Sequence, residues 1–128
     1  MKKQLEAVAH FHKSFGLSVS NEIKIDLGEQ KNILRYHLMK EENEEYLEAV
    51  QNKDLVEIAD ALGDMLYILC GTILEHGLQD KIEAIFDEIQ RSNMSKLDEN
   101  GKPIYREDGK VMKGPLYSKP NFENILDN

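Results

Sequence analysis

The chain has 128 residues, with 24 Asp and Glu against 16 Lys and Arg, a net charge of −8 at pH 7. That length suits one domain with its own core, and the acidic balance disfavours generic nucleic-acid binding, whose phosphate contacts need a basic patch. One cysteine, Cys70, excludes a disulfide framework within the chain, and the longest apolar run, 65–74, is too short to span a bilayer.

Residues 1–16 carry two lysines but no uninterrupted apolar stretch of the secretory kind, so a soluble protein of the reducing cytoplasm is expected. Leu5, Val8, Ala9 and Phe11 recur near helical spacing and predict a short amphipathic helix over 3–14, ended by Gly16. Residues 16–28 have no strong period and read as a connecting loop. The helical pattern returns over 29–51. Asp54 is placed to cap the next helix, with Glu57 three residues on as in a capping box. That helix runs to His76 and stops at Gly77.

Asp80 is placed to cap a further helix carrying Ile82, Ile85, Phe86 and Ile89 on one face, ending near Lys96. All three prolines follow, with the turn formers Asn100-Gly101 and Asp108-Gly109. A small hairpin around Asp108-Gly109 is expected there. The fold class is all-α: a four-helix-bundle-like core over 1–97, apolar enough on its third helix to bury it nearly all round, and an irregular tail over 98–128. Residues 1–128 are read as a single domain.

The acids carry the chemistry. On a helix at about 100° per residue, Glu41, Glu42 and Glu45 share an arc with Leu34, Leu38 and Ala49, whereas Glu44 and Glu48 point to solvent. On the following helix Glu57, Asp60 and Asp64 fall within about 60° of one another, on a segment otherwise apolar nearly all round. An ionised carboxylate inside such a helix costs several kcal/mol unless paired or metal-bound. The span 54–76 contains no Lys or Arg to pair with it. Two acid-bearing helices without local cations repel, and a divalent cation removes that repulsion. Oxygen donors without Cys or His favour Mg²⁺, Mn²⁺ or Ca²⁺. No His has Glu three residues before it, which disfavours a di-iron site, and the EF-hand pattern is absent. For Glu57 a capping role and a metal role stand equally open.

Glu41-Glu42-x-x-Glu45 followed by Asp60-Ala-Leu-Gly-Asp64-Met-Leu-Tyr resembles the all-α nucleoside triphosphate pyrophosphohydrolases, in particular their MazG-like, phosphoribosyl-ATP-pyrophosphohydrolase-like branch. Phe11-His12-x-x-Phe15-Gly16, Arg91 to Lys96, and Gly109 to Pro115 extend the resemblance over nearly the whole chain. One departure stands out. The usual Glu-x-x-Asp is met by Glu57-x-x-Asp60, but the apolar run begins after Asp64, where Ala61 occupies the expected glutamate position. Asp60 and Asp64 are favoured as ligands, with Glu57 in reserve.

The resemblance implies Mg²⁺-dependent cleavage of an NTP or dNTP to a monophosphate and pyrophosphate, with Mn²⁺ as a substitute. It implies Glu42, Glu45, Asp60 and Asp64 as ligands and Glu41 as general base. Lys96 and Lys113, then Arg91 and Lys110, are implied as phosphate contacts. Asn93 is a candidate for phosphate or sugar, His12 and Phe15 for the base, and Tyr117 for a weaker contact. A homodimer is expected. Two alternatives remain: hydrolysis of phosphoribosyl-ATP, and a non-catalytic helical module whose acids bind Ca²⁺ or a basic partner.

Overall fold

The structure, a computed structural model, describes residues 1–127. It is all-α. Among the described residues it contains helices α1 (Lys2–Ser14), α2 (Glu29–Gln51), α3 (Leu55–His76), α4 (Ile82–Met94) and α5 (Glu123–Leu126). The chain divides into two compact units, Met1–Asp80 and Lys81–Asn128.

In the first unit α1 buries Leu5, Val8 and His12 against α3. The segment 16–28 is irregular, and backbone bonds pin it along the C-terminal end of α3. Ser20 N donates to Leu74 O (2.9 Å) and Lys24 N to His76 O (2.9 Å). His76 Nδ1 donates back to Lys24 O at 2.7 Å. Gly77 ends α3 in the left-handed conformation (φ 73°). Its bare Cα lets the Glu22 carbonyl approach: an added Cβ would meet that oxygen at 2.1 Å.

α2 and α3 form the principal helix pair. The turn 52–54 is short, with Lys53 at φ 53°, so the two helices run antiparallel. Asp54 caps α3 by accepting from Glu57 N at 3.1 Å. The expected box is half-made, because Asp54 N donates to Ala49 O instead. The core occupies the second half of α3, where Cys70, Gly71, Ile73 and Leu74 are buried. Burial of α3 along its whole length is not met within one chain: Leu55 is 77 % exposed and Leu62 50 %.

The second unit holds α4 and the tail. α4 begins after Lys81 with no side-chain cap, so Asp80 does not take the capping role expected of it. Phe86 is exposed, and the buried residue of α4 is Ser92. Arg91 explains why the tail joins α4. Its guanidinium forks onto Glu88 and donates onward to the carbonyls of Ser118 and Lys119. Glu88 Oε1 accepts from Asn121 N at 3.0 Å. The expected hairpin is one antiparallel bridge, Tyr105 to Val111, closed by Gly109 at φ 88°.

Candidate functional site

The antiparallel α2–α3 pair brings the predicted acids together. Glu42 is half-buried, and its Oε2 is a buried oxygen without a hydrogen-bond partner. Burial first, then a hydrogen bond and charge repulsion from Glu45, then Asp64 and Asp60, raise its carboxyl to about 7. Two carboxylates from each helix thus act on one another, and they are the four expected as ligands. Glu45 and Asp60 are exposed, and Asp64 is half-buried. Glu41 is exposed, one turn before Glu45 on the same helix. Glu57 stands exposed in the first turn of α3, where its backbone N–H is held by Asp54.

The donor set is all oxygen, and the unpartnered Glu42 Oε2 is the kind of atom a hard cation satisfies. In kind the residues fit. Among the described residues, however, no three Asp, Glu, His or Cys side chains converge closely enough to hold a metal ion as they stand. The four acids are near enough to feel one another's charge and not near enough to form a closed cage.

One turn beyond Asp64 lies an aromatic surface. Phe11 stacks on Phe15 with ring centroids 4.4 Å apart and meets Tyr67 edge-on at 5.6 Å. Phe15 is 69 % exposed. His12 is buried, and its Nδ1 donates to Ser18 O at 2.9 Å, so this ring works inside the first unit. Beside it a polar cluster around the buried Glu75 joins the 16–28 loop, α2 and α3. Glu75, 4 % exposed, accepts from Ser18 Oγ at 2.6 Å and pairs with Lys31 Nζ at 3.2 Å. These partners draw its carboxyl below the usual range against the opposing effect of burial.

The sequence does not single out Lys31, Arg35, Thr72 or Glu75. Their signal was available: Glu75 closes an apolar run, and α2 supplies the cations that α3 lacks.

The remaining candidates belong to the second unit. Arg91 is committed to Glu88 and the tail carbonyls, and Glu88 is lowered to about 2 chiefly by that fork. Lys113 Nζ lies 4.7 Å above the Tyr117 ring. Lys96 offers its carbonyl to Gly114 N at 3.0 Å. A Cβ on Gly114 would meet that carbonyl at 2.8 Å, so glycine is required there. The Lys110 N–H is held by Asp108, and Asn93 is exposed.

Comparison with known proteins bears on these features. A 28 % identity over 95 % of the chain links it to an uncharacterized protein of Acanthamoeba polyphaga mimivirus. The chain spans about half, 51 %, of that curated relative's length. Residues 8–93 match the model of the phosphoribosyl-ATP pyrophosphohydrolase family, a span that holds α2, α3 and all the candidate acids. The chain therefore belongs to the phosphoribosyl-ATP pyrophosphohydrolase family, within the MazG-like nucleotide pyrophosphohydrolase superfamily.

Proposed function

We propose that this protein is a divalent-cation-dependent nucleoside triphosphate pyrophosphohydrolase that releases pyrophosphate from an NTP or dNTP. The observation that carries the reading is Glu42: a carboxyl raised to about 7, with an unpartnered buried oxygen, among Glu45, Asp60 and Asp64. Glu42, Glu45, Asp60 and Asp64 would hold Mg²⁺ or Mn²⁺, with Glu57 in reserve. A bound cation would neutralise the triphosphate and lower the pKa of a water, so that a nucleophilic hydroxide forms near neutral pH. Glu41, exposed one turn before Glu45, would serve as general base toward the attacking water. The aromatic surface of Phe11, Phe15 and Tyr67 offers a nucleobase a stacking face. Lys96 and Lys113 are proposed as phosphate contacts, with Asn93, Lys110 and Tyr117 after them. Arg91 and His12 are weaker candidates, since both are engaged in internal bonds.

Pyrophosphate release is measured over a panel of NTPs and dNTPs with Mg²⁺ and with Mn²⁺. Glu45→Gln and Asp64→Asn are expected to cut kcat/KM at least about 100-fold. Wild-type activity from either variant would refute the site, and a silent panel would refute the reaction.

The family match favours a second substrate reading, phosphoribosyl-ATP, which needs the same bond cleaved. Including it in the panel distinguishes the two. The family match also weighs against a non-catalytic module whose acids bind Ca²⁺ or a basic partner. That module would bind cation or partner and release nothing.

A further inference from the structure

α2 and α3 cannot be aligned by the acids themselves, because like charges facing one another push the helices apart. Nor does α3 hold any Lys or Arg that could offset this locally. The alignment has to come from elsewhere on the pair, and one residue makes the crossing at two points. Arg35 on α2 donates from Nε to Thr72 Oγ1 at 2.9 Å and from Nη2 to the Ile68 carbonyl at 2.7 Å. Thr72 Oγ1 donates in turn to the same Ile68 carbonyl at 3.0 Å, closing a ring of three bonds on one turn of α3. A planar guanidinium held at two points fixes angle as well as distance, which a single ammonium does not.

The fit is tight. A Cβ on Gly71 would lie 2.6 Å from Arg35 Nη2 and 2.9 Å from His12 Nε2, so the fork lies over the one bare Cα of that turn. One turn further out, Lys31 and Glu75 pair across the same two helices. Followed in the other direction, the register of these contacts leads to the acids. Two turns beyond Arg35 on α2 is Glu42, and two turns before Thr72 on α3 is Asp64. One turn more brings Glu45 opposite Asp60. A slip of one turn, about 5.4 Å, would carry each acid past its counterpart.

We infer that Arg35 is the positioning residue of the carboxylate cluster: its fork onto Ile68 and Thr72 across Gly71 sets the α2–α3 register that brings Glu42 and Glu45 to Asp60 and Asp64. This role in cation binding rests on the reading of that cluster as the metal centre. The register itself does not.

The test measures both separately. Spin labels on cysteines at the exposed positions Glu48 and Ala59 report the distance between the two helices beside the acids. Cys70 is fully buried and its thiol is raised by burial, so it stays unlabelled. Labelled protein is diluted with unlabelled protein to remove distances between chains. With Arg35 intact a single narrow distance is expected. Arg35→Met keeps the apolar stem and removes the fork, and is expected to broaden the distance or shift it by several ångströms at unchanged helical content. Arg35→Lys, with the charge but no fork, is expected to leave it broadened too. Mn²⁺ affinity, read by calorimetry in the unlabelled variants, is expected to fall roughly 10- to 100-fold.

If Arg35→Met does not fold, Thr72→Val removes one arm of the fork alone and carries the same prediction. A folded variant with an unmoved distance overturns the proposal, whatever its Mn²⁺ affinity. Should wild type bind no Mn²⁺ while the distance still depends on Arg35, the metal reading falls and the positioning role stands.

Discussion

At the scale of single residues, Glu42 concentrates the electrostatics of this chain. Its carboxyl rises from the usual 4.5 to about 7 through burial and the neighbouring acids. Between those values the folded state binds more protons than the unfolded one, so stability falls as pH rises through that window. The full penalty is present above pH 7 and absent below about pH 4.5. Glu42→Gln removes the charge and supplies a donor to Glu45. In chelator, thermal unfolding at pH 8 should therefore place this variant a few degrees above wild type, with the gap closing toward pH 4. Excess Mn²⁺ should reverse the order, because cation binding needs the deprotonated carboxylate. A wild type that grows more stable from pH 5 to 8 without metal, relative to Glu42→Gln, would contradict the clustering of the four acids.

At the scale of elements, helix ends were legible and cross-helix contacts were not. Asp54 and Gly77 announce themselves by residue type, and the structure uses both as expected. Asp54→Ala removes the acceptor for Glu57 N and should cost about 1 kcal/mol in chemical denaturation. Gly77→Ala should cost more, roughly 2–4 kcal/mol, since it adds a strained positive φ and drives a Cβ into the Glu22 carbonyl. Half of that second effect was hidden: the turn is local, whereas Glu22 reaches Gly77 through the fold of the 16–28 loop. The same division runs through the site. Helical periodicity suffices to put Glu42 and Glu45 on one arc of α2, and Asp60 and Asp64 on one arc of α3, because each arc belongs to one helix. Arg35 over Gly71 depends on the register between two helices, which no single-helix pattern contains. Asp80 misled for the converse reason. It is a good capping residue placed near a helix start, but α4 begins two residues later.

At the scale of the whole molecule, an exposed leucine stripe on α3 argues for self-association. Leu55, Leu62 and Leu69 recur every seven residues with Leu66 between them, and all four are exposed in the single chain. Leu47 and Val50 add to the exposed apolar surface of the α2–α3 pair. Burying the exposed remainder of six such side chains on each copy is worth roughly 1 kcal/mol apiece, which together offsets the several kcal/mol that association costs in lost freedom. A homodimer is the simplest closed solution, because a two-fold axis covers the same patch on both copies. Sedimentation equilibrium at micromolar concentration should therefore return about twice the 14.7 kDa chain mass. Leu62→Glu puts a charge in the middle of the stripe and should return the monomer mass. Leu55→Glu should weaken the dimer less, and its acid suits the first turn of α3, so helix loss would not explain the change. A wild type that stays at 14.7 kDa up to hundreds of micromolar would mean that something other than a second copy covers this face.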